Sequence, residues 1–84
     1  MSEKQIGTIS DFFSRVVVAG ISLTDNLKVG DTVHIKGHTT DLQTTINSMQ
    51  INNNNVEEAK AGESVGIKVP DRVRRGDQIY KVTE

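Results

Sequence analysis

The sequence predicts an all-β domain, a small closed antiparallel barrel of six or seven strands. Three observations carry the expectation. Runs rich in Val, Ile and Thr recur at intervals of about 8–12 residues, separated by Gly, Asn and Asp. No long stretch shows the apolar spacing of three and four that a helix needs. One pattern, base-x-Gly-acid-polar-apolar, occurs three times, in Lys28-Val29-Gly30-Asp31-Thr32-Val33, Lys60-Ala61-Gly62-Glu63-Ser64-Val65 and Arg74-Arg75-Gly76-Asp77-Gln78-Ile79. Its physical sense is a turn with Gly in the left-handed region, followed by a strand. Its unequal spacing speaks against a solenoid.

Taken in order, residues 5–10 read as a first strand and 11–14 as a connection. Residues 15–23, dense in β-branched side chains, read as a second strand. Residues 25–30 turn the chain, and 32–36 follow as a third strand with Val33 and Ile35 on one face. Residues 37–41 turn it again. Residues 42–51 read as one long strand in which the apolar parity switches from Leu42 and Ile46 to Met49 and Ile51, the mark of a bulge. Asn52 to Asn55 form a turn, because Asn tolerates positive φ. Residues 56–59, 64–69 and 78–82 complete the strand set, with a loop over 70–76.

Eighty-four residues make a single domain over 1–84, with its core at about 6–82. There is no cysteine, which excludes disulfides and thiolate metal sites. The first residues carry no apolar signal region, and the apolar run from Val16 to Ile21 is far short of the ~20 residues a bilayer requires. A cytoplasmic protein without membrane contact is the expectation. The net charge of −1 shows no overall basic excess, so nucleic-acid contact has to be local.

No phosphate-cradling Gly-rich loop ending in Gly-Lys-Ser/Thr is present, so nucleotide binding is not expected of this chain alone. No nucleophile elbow marks a catalytic serine. Glu57 and Glu58 are adjacent, which on a strand sends them to opposite faces. His34 and His38, on one strand, would stand roughly 13 Å apart, too far for one metal. The reading is therefore non-catalytic, with no metal and no cofactor. Arg75-Gly76-Asp77 spells an adhesion tripeptide, but the turn already explains its Gly.

Three segments carry a family resemblance. Leu27 to Gly37 (LKVGDTVHIKG), Ile46 to Val69 (INSMQINNNNVEEAKAGESVGIKV) and Val73 to Tyr80 (VRRGDQIY) resemble, in that order, blocks of domain 2 of elongation factor Tu and related translational GTPases. The resemblance spans about residues 6–82. Ser48-Met49-Gln50 followed by VGIKV and VRRGDQIY is most similar to small stand-alone translation elongation factor-like proteins and to the C-terminal barrel of collagenase-like peptidases, some of which act in tRNA modification. It implies the barrel, and contact with tRNA, ribosomal RNA or a translation-related protein. Ser48, Gln50 and Ser64 stand where the elongation factor contacts aminoacyl-tRNA, and there this chain differs from it: the scaffold positions match and the contact positions do not.

Two further groups read as binding candidates. Lys68, Arg72, Arg74 and Arg75 form a basic cluster suited to phosphate, flanked by Asp71 and Asp77, with Lys60 a possible neighbour. Phe12 and Phe13, adjacent in the first connection, are expected to split, one capping the core and one exposed for stacking. The function expected is an RNA- or ribosome-associated accessory module. The alternative is a protein-docking module without RNA contact.

Overall fold

A computed structural model, which describes residues 2–83, forms ten strands: β1 (Ser2–Phe13), β2 (Val18–Leu23), β3 (Leu27–Lys28), β4 (Thr32–Lys36), β5 (Asp41–Thr45), β6 (Met49–Ile51), β7 (Asn54–Val56), β8 (Glu58–Ala59), β9 (Ser64–Lys68) and β10 (Gln78–Thr83). Eight of them hydrogen-bond in one sheet in the order β5-β4-β10-β1-β2-β9-β6-β7, and β3 with β8 makes a separate ribbon. Every pairing is antiparallel. No helix is long and apolar enough to cross a membrane.

The all-β class is as expected, but the sheet is not a closed barrel of six or seven strands. Its ladder is open, with β5 and β7 as its two ends. The reason lies in the run from Leu42 to Ile51. The parity switch does not mark a bulge in one strand; it marks a change of partner. β5 pairs with β4, whereas β6 pairs with β9 at the other side of the sheet. Between them, Ile46 is buried and bonds the β3–β4 turn through Gly30 N–H (2.8 Å) and Asp31 C=O (2.9 Å). Thr45 and Met49 are four residues apart, a reach of at most about 14 Å. The sheet therefore curls until its two ends approach, and its concave face encloses one core. That core runs through Ile6, Ile9, Ala19, Ile21, Leu23, Leu27, Val33, Ile35, Ile46, Met49, Ala59, Val65, Ile67, Val69, Val73 and Ile79.

β1 is twice the expected length. Residues 2–5 are exposed and pair only with β10, so no apolar alternation announces them. Beyond Ile9 the strand continues to Phe13 through a register shift against β2. The turn that follows holds Val17 at φ 53°, an uncommon conformation for a β-branched residue.

The thrice-repeated pattern folds identically each time. Gly30, Gly62 and Gly76 have φ of 98°, 91° and 93°, which is the second central position of a type II turn. In each, the acid's N–H donates to the base's C=O at 3.1 Å (Asp31 to Lys28, Glu63 to Lys60, Asp77 to Arg74). The acid's carboxylate accepts the base's N–H in return, at 3.1, 2.8 and 2.9 Å. Each turn then docks on one buried apolar residue. The Gly N–H donates to the carbonyls of Ile46, Leu23 and Ile9, and those residues' N–H groups donate back to the acid's C=O, all within 2.7–3.0 Å. These bonds satisfy the turn backbones and set three fixed corners of the fold.

Candidate functional site

The β1–β2 hairpin end and the loop from Val69 to Asp77 lie side by side. Val69 N–H donates to Val17 C=O at 3.1 Å, and Gly76 N–H to Ile9 C=O at 2.9 Å. Buried Val69 and Val73 pin the loop to the core. Because Val73 points inward, Arg72 and Arg74 point out. Lys68, Arg72, Arg74 and Arg75 are all exposed here and are joined by Arg15 from the hairpin turn, which shares a shallow depression with Lys68 and Pro70.

The flanking acids bond backbone amides and not the guanidinium groups. The Asp71 carboxylate accepts the Arg72 N–H at 2.7 Å, and buried Asp77 accepts the Arg74 N–H at 2.9 Å. Both serve backbone amides. Among the described residues, the cluster's single ion pair joins Arg75 to Asp11 at 3.6 Å. Half of the chain's ten bases thus gather at one end against Asp11, Asp71 and the occupied Asp77. Lys60 is not among them, since its turn docks on Leu23, at the other end of β2. Arg15 was hidden because its position reads as the start of a strand.

Phe12 and Phe13 split as expected. Phe12 is half-buried against the core, and Phe13 is 52% exposed. Phe13 stands at one wall of a trough of about 460 Å³ on the outer face of β1, β2, β9 and β6. Gln50 and Ser64 line the same trough, and Ser48 lies with Gln50 and Lys68 in the depression beside it. Phe13, Gln50, Ser64, Ser48 and Lys68 thus lie in or beside one trough. Its floor is a feature the sequence did not reveal: Gly20 and Gly66 are cross-strand partners, with Gln50 opposite Gly66 on the far side.

A second polar cluster lies across β1, β4 and β5. His34 Nδ1 donates to Glu3 Oε2 at 2.7 Å and Nε2 to Asp41 Oδ1. Two carboxylate acceptors require both ring nitrogens to carry protons. Asp41 first, and Glu3 second, hold the imidazolium above the ordinary histidine value. Lys36, then His34, hold Glu3 below the ordinary carboxylate value. Lys36 bonds Glu3 Oε1 at 2.7 Å and lies 5.2 Å from the Tyr80 ring centre. The ring is thus occupied by protein partners. Among the described residues no group of three or more His, Asp or Glu could hold a metal ion.

No protein-family model matches the chain. It is 46% identical over 81 residues to an uncharacterized protease of Methanocaldococcus jannaschii, which covers 95% of the chain but 20% of that protein. The chain thus spans about a fifth of that relative's length. It is also similar in structure to the C-terminal domain of a Geobacillus thermoleovorans protein described as a U32 peptidase, with a TM-score of 0.89, 16% identity, and 95% and 93% of the two chains covered. The selenomethionine variant of that domain gives 0.86 and 15%, over 90% and 96%. Of the resemblances drawn from sequence, the one to the collagenase-like peptidase domain is supported; these comparisons lend none to the translation factors. The chain has the fold of a U32 peptidase C-terminal domain.

Proposed function

We propose that the chain is a non-catalytic accessory module that contacts RNA through its hairpin-and-loop end. The observation that carries this reading is the gathering of Arg15, Lys68, Arg72, Arg74 and Arg75 at one end, with Asp71 and Asp77 bonded to backbone amides and only Arg75 ion-paired, to Asp11, among the described residues. Exposed guanidinium groups held by a pinned loop suit phosphate forks. Such a local cluster supplies binding that the net charge of −1 alone does not suggest. A link to translation rests on the sequence resemblance.

The test is affinity for single-stranded RNA against salt. Arg72→Ala and Arg74→Ala should each weaken binding for all sequences alike and lower the slope of log K against log salt by about 0.7. Unchanged affinity and slope would remove the reading. A second reading, docking onto a larger polypeptide, is supported by the relative in which this domain is about a fifth of the whole. Its sign would be binding that resists both nuclease and the two Arg substitutions.

A further inference from the structure

We infer that the trough floored by Gly20 and Gly66 is a binding site for an uncharged aromatic side chain of a partner polypeptide. This goes beyond the RNA reading and does not depend on it. Gly66 is a strand glycine with no structural reason to be glycine, and its partner Gly20 faces the Ser10 bulge of β1. Gly in a strand interior is destabilising relative to Ala, and here two are paired across β2 and β9. Neither has the positive φ of the turn glycines. Neither lacks room: a Cβ on Gly66 would come no nearer than 3.4 Å to Val18 Cγ1, and one on Gly20 no nearer than 3.4 Å to Asp11 Cβ and Ser10 Oγ. Gly7 differs, since its Cβ would sit 2.5 Å from the Ser22 carbonyl oxygen. A strand glycine that the fold itself does not need marks a place where something else approaches the backbone.

The lining identifies what approaches. None of the trough's residues is charged, so it offers nothing to a phosphate or a carboxylate. Phe13 and Val16, at 52% and 53% exposure, are two of the three exposed large hydrophobics among the described residues, and both line it. Gln50, Asn52, Asn53 and Ser64 supply donors and acceptors for main-chain amides at the rim. A flat apolar ring resting on bare backbone, with amide partners beside it, matches the anchor-in-pocket pattern of protein interfaces. The open volume of about 460 Å³ leaves space for the ring and its flanking backbone. In the Methanocaldococcus jannaschii relative the matching segment is about a fifth of a longer polypeptide.

The experiment is amide-resolved NMR titration of the 84-residue chain with N-acetyl-phenylalanine amide, and in parallel with adenosine. Expected are saturable shifts at Gly20, Gly66 and Gln50 with the aromatic amide, and affinity for adenosine at least tenfold weaker. Gly66→Val should lower the aromatic amide's affinity at least tenfold. Gly66→Ala controls for folding: it should melt no lower than the parent while still weakening the ligand. No shifts in the trough, equal affinity for adenosine, or a Gly66→Ala protein that melts lower would each overturn the assignment. RNA affinity measured on Gly66→Val should be unchanged, so the failure of one site is distinguishable from that of the other.

Discussion

Replacing Gly37 with Ala tests how the third turn is locked into the body. Gly37 follows β4, and a methyl group on it would overlap Asp77 Oδ1 and lie 3.0 Å from Oδ2. Asp77 is 6% exposed, and its Oδ2 accepts the Arg74 N–H at 2.9 Å. The carboxylate can yield only by giving up that bond. A hydrogen bond to a charged group contributes about 1.5–3 kcal/mol. For a domain of this size 1 kcal/mol moves the melting point by about 4–8 °C. A loss near 2 kcal/mol therefore predicts a fall of roughly 8–16 °C. Asp77→Ala removes the same bond and should cost a similar amount. In the double variant the methyl enters space the carboxylate has left, so the pair should cost little more than Asp77→Ala alone, a coupling of about 2 kcal/mol. Thermal and urea melts of the four proteins, followed by circular dichroism, measure it. Additive effects, or a Gly37→Ala protein within about 0.5 kcal/mol of the parent, would refute the reasoning.

Four further outcomes follow from the same structure. The His34 bridge, raised in pKa by Asp41 and then Glu3, should contribute fully below the unfolded imidazole value of about 6.5. That contribution should fade as pH rises through the higher folded value, and His34→Gln should flatten this limb of a melting-temperature–pH profile. Glu3, lowered by Lys36 and then His34, acts in the opposite sense: its contribution is present above the unfolded carboxylate value and is lost as pH falls through the lower folded one, a limb that Glu3→Gln should remove. Ile46→Ala, at a side chain 1% exposed, should cost about 2–5 kcal/mol in urea melts, whereas Phe13→Ala should cost less than about 1 kcal/mol.

Much of the local structure was legible. The Gly of each repeated pattern announced its turn because only Gly takes that φ without strain, and Asn52 and Asn53, at φ 53° and 66°, form the hairpin turn their type suggests. The partner change inside residues 42–51 was not legible. A bulge and a crossover leave the same parity switch, and only the pairing of β5 with β4 and β6 with β9 separates them. Residues 2–4 of β1 were missed because an exposed strand end bonded to one neighbour needs no apolar alternation.

The sequence by itself determined the all-β class, the three corner turns and the presence of unusually placed bases, because these depend on φ preference, alternation and residue type. Tertiary structure decided that the sheet stays open, that Arg15 joins the loop arginines, and that Gly20 meets Gly66 across two strands. Those are cross-strand and cross-loop relations. They arise from register between segments distant along the chain, which one-dimensional periodicity does not encode.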